Sequence, residues 1–244
     1  EEALLEFTKS SDDAVAQMAM AMLHSAKQLR REEQQKLIAR LRTLGGVALF
    51  NDNGEVHRID FEGEYITDLG LAEQRKATVR FKMAQGFFDR AEFASKYIVR
   101  TRVTDNDLEI LRKFPALNYL NLQRTEATDA GLVHLKSLRK LEHLVLNPQT
   151  TDEGLAHLAH LQQLKSICLA QTQVTGVGFA QLKGLSHLEE INLTNSQASD
   201  AGMEKICDHA GLLTLNLGNS KVTDKGISLL SDLTMVQRLS LHRT

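Results

Sequence analysis

The chain has 244 residues, a formal net charge of −2 and 25% charged residues, a balance that argues against a general polyanion binder, nucleic acid included. No run approaches the roughly 18 apolar residues of a membrane span; the most apolar stretch, Ala14 to Leu23, is too short. The chain opens on Glu1, so a preceding segment is expected to have been removed, and a signal peptide or membrane anchor stays open as its nature.

Ser10 to Leu44 predicts a helix. Ser10, Ser11 and Asp12 are N-cap candidates, Gly45-Gly46 is a stop signal, and Val15, Met18, Met22, Leu29, Leu37, Leu41 and Leu44 fall at roughly helical spacing. Its expected role is to cover the apolar end of the array that follows; the alternative is recruitment of a partner through Met18, Met20 and Met22. Val47–Phe50 and Val56–Phe61, joined by Asn51-Asp52-Asn53-Gly54, predict a hairpin whose second strand starts a sheet.

Residues 72–97 break the pattern on either side. Arg75, Lys76, Arg80, Lys82, Arg90 and Lys96 outnumber Glu73, Asp89 and Glu92 there. The segment reads as a degenerate repeat with a solvated basic face, with an inserted patch for an acidic partner as the alternative; Phe81, Phe87, Phe88 and Phe93 are assigned to core.

From Leu117 onward the sequence overlays itself at a shift of about 24 residues. Apolar pairs separated by one residue recur at Leu120/Leu122, Leu144/Leu146, Ile167/Leu169, Ile191/Leu193, Leu215/Leu217 and Leu239/Leu241, with Ile59/Phe61 upstream. Each pair puts two side chains on one face of a strand and the residue between them on the other. A turn follows, with Thr128-Asp129, Thr151-Asp152, Ser199-Asp200 and Thr223-Asp224, preceded by Thr67-Asp68 and Thr104-Asp105; Thr175-Gly176 alone lacks the acid. Thr or Ser is expected to cap a helix and Asp to face the positive end of that helix. Apolar residues then recur after a glycine, as in Leu132, Leu135, Leu138 and Leu141, or Phe179, Leu182, Leu185 and Leu188, giving a helix one apolar stripe. Neither strand nor helix buries its stripe alone, so successive copies must stack.

The unit LxxLxLxxTxxTDxGLxxLxxL resembles the leucine-rich repeat, in particular the bacterial class whose turn reads Thr-Asp-Ala-Gly-Leu, as at Thr128-Asp129-Ala130-Gly131-Leu132. The match covers Val103 to Thr244, and more weakly Val56 to Leu71. The resemblance implies a right-handed α/β solenoid with a parallel inner sheet, here with an N-terminal helical and hairpin cap at 1–55 and the array at 56–244. Where the family carries an Asn or Cys ladder, Thr125, Thr172, Ser196, Ser220 and Thr244 stand here, expected to satisfy turn groups between coils. Asn147-Pro148-Gln149-Thr150 is one residue short and is expected to reshape its turn.

Catalytic chemistry is not visible in the sequence. His134, His157 and His160 lie near one helical column, but no Cys or carboxylate at ligand spacing accompanies them, so neither a metal nor another cofactor is predicted. Cys168 is placed on the inner wall and Cys207 on the outer layer; both are expected to be free thiols, compatible with the cytoplasm, while a secreted or periplasmic location follows if a signal peptide was removed. The glycines belong to the repeating turn and not to a phosphate loop.

The inner wall remains. Tyr119, Asn121, His143, Glu190, Asn192, Asn216, Arg238 and His242 are its candidate protein-binding residues. The expected function is a non-catalytic scaffold that binds a protein or peptide there. Two alternatives stay open: an adaptor or substrate receptor of a ubiquitin-ligase-like complex, and an enzyme whose catalytic part lies outside this sequence. Leu239 and Leu241 after the last helix are expected to leave an open edge for a homo-oligomer.

Overall fold

A computed structural model describes residues 8–9, 13–51, 55–61 and 103–244. Outside these lie the N-cap candidates Ser10 to Asp12, most of the hairpin loop, the Thr67-Asp68 turn and the whole basic segment 72–97. The chain divides into two units, Glu1–Thr43 and Leu44–Thr244. The first contains helix α1 (Asp13–Thr43), which ends in Arg40 and Arg42 in its last turn. Gly45, at φ 76°, supplies the left-handed residue after its end. Met18, Met20 and Met22 are exposed on this helix.

The second unit is an α/β array built on one open eight-stranded sheet in sequential order. Strands β1 (Val47–Phe50) and β2 (Val56–Asp60) form the expected antiparallel hairpin. Its turn starts at Asn51, whose N–H donates to the Glu55 carbonyl at 2.9 Å while its side-chain oxygen accepts from the Glu55 N–H at 2.9 Å. The remaining pairings are parallel: β3 (Tyr119–Asn121), β4 (His143–Val145), β5 (Ser166–Cys168), β6 (Glu190–Asn192), β7 (Thr214–Asn216) and β8 (Arg238–Ser240).

The register puts Ile59, Leu120, Leu144, Ile167, Ile191, Leu215 and Leu239 side by side. All but the last are fully buried, whereas Leu239 is 44% exposed at the edge strand. This is the stacking that the leucine pairs require, and it gives the array a leucine-rich-repeat-like architecture.

The outer layer consists of shorter, tighter elements than an α-helical stripe would need. Asp105–Lys113, Asp129–Ser137 and Val177–Leu182 are 3-10 helices, and the α-helical pieces α2 (Asp152–Leu155), α3 (Asp200–Ile206) and α4 (Asp224–Ser228) are one or two turns long. The apolar spacing explains this. Leu132, Leu135, Leu138 and Leu141 recur every three residues, and a 3-10 helix has three residues per turn, so its side chains at i and i+3 eclipse. All four are buried.

The same spacing identifies a core position absent from the sequence-based list. After Gly202 the series runs Met203, Ile206, His209, Leu212, so His209 stands where other coils have Leu138, Leu161 or Leu185. It is 6% exposed, sits edge-on to Phe179 with ring centroids 5.8 Å apart, and its buried Nε2 has no hydrogen-bond partner. Burial holds its pKa below the usual histidine value, outweighing the pull of the Phe179 backbone and of Asp208, and Lys183 pushes the same way as burial.

The Thr-Asp turn works across coils. Thr128, Thr151 and Thr223 cap their own helices, accepting from the N–H groups of Ala130, Glu153 and Lys225. The Asp side chain instead serves the following coil: Asp105 accepts from the Thr128 N–H and hydroxyl at 2.6 and 2.8 Å, Asp129 from Thr151 at 3.0 and 2.5 Å, and Asp152 from Thr175 at 2.9 and 2.7 Å. Asp200 does the same for Thr223, and the Thr223 and Gly226 hydrogen bonds hold its carboxyl below the ordinary value. Gly176 interrupts the series: without a carboxylate there, the Ser199 N–H donates to the Thr175 carbonyl at 3.0 Å.

The conserved shape of the turn also accounts for its glycine. A Cβ on Gly131 would lie 2.5 Å from Asp105 Oδ1, and one on Gly154 would collide with the Asp129 carboxylate.

The hydroxyl column acts within coils, with Thr125 alone also reached from the next one. Thr125, Thr172 and Thr244 donate to the carbonyls of Leu122, Leu169 and Leu241, and Ser196 and Ser220 accept from Ala198 and Val222. The bridge between coils comes from the short turn, where Asn147 donates to Thr125 Oγ1 at 3.0 Å and to the Ala127 carbonyl at 2.6 Å. Thr150 then occupies the buried column of Val103, Ala127, Val174, Ala198 and Val222, its carbonyl accepting from the Gln173 N–H. One residue fewer is absorbed by moving a threonine into an apolar slot.

Two outcomes follow for stability. Gly154→Ala should lower urea-unfolding stability by about 1–3 kcal/mol through overpacking, while Gly184→Ala, whose Cβ would meet nothing nearer than Gln162 Nε2 at 4.0 Å, should change it by less than about 0.5 kcal/mol. His209→Leu should stabilise by roughly 1 kcal/mol near neutrality by removing an unpartnered buried polar atom. Because the folded pKa of His209 is depressed, wild-type stability falls as pH drops below the unfolded value of about 6.5, so the advantage of the variant should grow between about pH 7 and 5; an urea midpoint series over that range checks the sign.

Candidate protein-binding face

Alternation along the strands places Arg58, Tyr119, His143, Ser166, Glu190, Thr214 and Arg238 in one row on the face opposite the leucines. A second row holds Asp60, Asn121, Val145, Cys168, Asn192, Asn216 and Ser240. Of the predicted residues, His143, Glu190, Arg238 and His242 are exposed, while Tyr119, Asn192 and Asn216 are half-buried. All but His242, just past β8, lie on this one sheet face.

Asn121 does not share that accessibility. It is 4% exposed, next to the equally buried Asp60, and its side-chain oxygen accepts from the Gln123 N–H at 2.9 Å. Pointing away from the core is a property of strand alternation; being open to a partner is not, and Asn121 is corrected from a contact residue to a turn-bracing one. Asn192 and Asn216 use their oxygens likewise, accepting from the N–H groups of Thr194 and Gly218 at 3.0 and 3.1 Å. Their NH2 groups are left as the hydrogen-bonding ends on the wall.

Arg58 was missed by the sequence reading. Its guanidinium lies 3.5 Å from the centroid of the Tyr119 ring and 3.5 Å from Asp60 Oδ2, and Tyr119 approaches His143 with centroids 6.4 Å apart. The available signal was register: Arg58 precedes Ile59 as Tyr119 precedes Leu120. At the other end of the row, Arg238 Nε donates to Thr214 Oγ1 at 3.1 Å, which fixes the guanidinium against β7.

The loops that lead into the strands form a separate cleft of about 390 Å³, bordered by Asn51, Glu55, His57, Asn118, Lys140 and Glu142. Glu142 there is paired with Lys165 at 2.9 Å, and this hydrogen bond raises the Lys165 pKa. Among the described residues no group of three or more His, Cys, Asp or Glu side chains is placed to hold a metal ion, and no helix is long and apolar enough to cross a membrane.

No protein-family model and no curated protein matches the sequence. Among solved structures, the chain is similar to an internalin (inlF) from Listeria monocytogenes str. 4b F2365, with 21% identity, 59% of this chain and 46% of that chain covered, and a TM-score of 0.44. It is also similar to internalin C2 (inlC2) from the same organism, with 26% identity, 59% and 69% coverage, and a TM-score of 0.42. The chain spans less than half the length of the inlF internalin.

Both cysteines are free thiols. Burial is the main force raising the Cys168 pKa, and the nearby Glu190 charge adds to it against the opposing Ala170 backbone hydrogen bond. A raised thiol is a poorer source of thiolate. At pH 8, iodoacetamide should alkylate Cys168 at less than about one third of the rate of an exposed cysteine, as read by mass spectrometry of the peptide that contains it.

Proposed function

We propose that the chain is a non-catalytic protein-interaction scaffold that receives a protein or peptide on the inner sheet face, through Tyr119, His143, Glu190, Asn192, Asn216, Arg238 and His242. The single observation that carries the reading is the in-register row Tyr119, His143, Ser166, Glu190, Thr214 and Arg238: its side chains are used neither in the core nor in the turns that join coils. Polar groups arrayed on a rigid sheet are pre-organised, so a partner loses little to their ordering. The raised Cys168 thiol speaks against a nucleophile on the same wall.

The same reading assigns the array to the right-handed leucine-rich repeat solenoids of the Thr-Asp-Ala-Gly-Leu class, on the pattern of its turns and on the handedness of parallel crossover connections in general. It divides the chain into a helix and hairpin cap at 1–55 and a solenoid at 56–244, with 72–97 as an irregular segment.

The test is affinity capture from the source lysate with the wild-type chain beside a Tyr119→Ala, Asn192→Ala, Arg238→Ala variant of matched circular dichroism and melting temperature. At least one wild-type partner should drop about tenfold or more on the variant, a loss of about 1.4 kcal/mol. Equal retention of every partner would remove the inner wall as the recognition surface.

A further inference from the structure

The coils are joined on their outer side by a repeated carboxylate clamp, and one junction lacks it. Asp129 holds the N–H and hydroxyl of Thr151. Asp152 holds those of Thr175 and also the N–H groups of Gly176 and Gly178, at 3.1 and 2.9 Å. Asp200 holds those of Thr223 and the N–H of Gly226 at 3.1 Å. Between these clamps Gly176 stands in place of the acid, and Ser199 meets the preceding coil through the Thr175 carbonyl, which accepts its N–H at 3.0 Å and its hydroxyl at 3.4 Å. Hydrogen bonds to a carboxylate are roughly twice as strong as neutral ones, so this junction relies on close packing instead. Gly202 lies so near the Thr175 carbonyl that a Cβ there would collide with it. Such packing holds only while it is close, since a gap of about 0.5–1 Å forfeits a quarter to a half of each contact.

The same junction carries the buried histidine. His209 belongs to the coil of Ser199 and stands edge-on to Phe179 of the coil of Gly176, with 5.8 Å between ring centroids. It is buried, and its Nε2 has no hydrogen-bond partner. A neutral ring is tolerated in this place, whereas an imidazolium would bury a charge and an N–H that nothing receives. The groups around it do not offset that cost: Asp208 and the Phe179 backbone favour the proton, Lys183 of the facing coil opposes it, and Asp208 lies 3.5 Å from the same Lys183 ammonium. Towards the following coil the contact is neutral, with Cys207 Sγ donating to the Leu229 carbonyl at 3.4 Å.

We infer that the outer junction between the coils of Gly176 and Ser199 is an acid-opened joint, at which protonation of His209 parts the turn and outer segment of one coil from those of the other while the clamped junctions on either side stay closed. The missing carboxylate sets where the array opens, and the histidine makes that opening depend on pH. The sign follows from which form takes the proton. His209 titrates at about 6.5 once open to water and lower when enclosed, so opening grows as pH falls, by up to about tenfold between pH 7.5 and 5.5. The joint lies in the outer layer and does not depend on the scaffold reading.

Amide hydrogen exchange followed by NMR on the full chain, corrected for the intrinsic pH dependence of exchange, tests it, because Thr151, Thr175 and Ser199 have equivalent N–H groups that bond to the preceding coil. Ser199 should be at least threefold less protected than Thr151 and Thr175 at pH 5.5, and its own protection should fall at least threefold from pH 7.5 to 5.5. His209→Leu should bring that fall below about 1.5-fold. His209→Gln, which keeps a polar side chain and does not titrate, should do the same, separating protonation from packing. The inference is overturned if Ser199 is protected to within twofold of Thr175 at pH 5.5, if its protection moves less than twofold with pH, or if either variant keeps the wild-type fall.

Discussion

Each coil of this chain has an apolar stripe on its strand and another on its outer segment, and neither can leave water without the coil beside it. At about 25 cal/mol per Å² of apolar surface removed from water, that requirement dominates the local preferences of three-residue strands. It explains why Ile59, Leu120, Leu144, Ile167, Ile191 and Leu215 form an unbroken buried column, and why the sheet is sequential and, from β2 to β8, parallel. Burial alone does not set the offset between coils, because leucines slide over leucines at small cost. The carboxylates of Asp105, Asp129, Asp152 and Asp200 fix that offset by holding both the N–H and the hydroxyl of the next threonine.

Seen this way, the Thr-Asp-x-Gly turn is one device. Threonine caps its own helix, aspartate reaches forward, and the glycine of the next coil lacks a Cβ where that aspartate must pass. Gly176 shows the same dependence by exception: with no carboxylate to offer, it takes φ 95° and its coil meets the next through the Thr175 carbonyl.

The strands were legible in the sequence because a pair such as Leu120/Leu122 has a period of two that no helix shares, and the hairpin was legible from its Asn-Gly loop. The outer layer was harder. A spacing of three fits an α-helical stripe loosely and a 3-10 helix well, and the difference decides how many residues each coil can commit to its outer side. His209 was passed over because a histidine in a leucine column looks like an interruption, yet the column position dictates burial whatever occupies it. The hydroxyl column was recognised and its direction was not: these hydroxyls bond to the backbone of their own turn, and the contact across coils at the short turn is made by the Asn147 carboxamide. Asn121 shows the remaining gap, since alternation reports which way a side chain faces and nothing about what lies over it.

The wall inherits its character from what the coils do not need. Three of its asparagines are partly committed, their oxygens closing the bend after the strand, so those middle-row positions are held by backbone requirements. The first row carries no such duty: Arg58, Tyr119, His143, Ser166, Glu190, Thr214 and Arg238 span cation, aromatic, hydroxyl and acid with no effect on the leucines behind them. A stack of coils can therefore change what it recognises one residue per repeat without altering how it folds. On the scaffold reading proposed above, specificity belongs to that first row and orientation to the asparagines beside it.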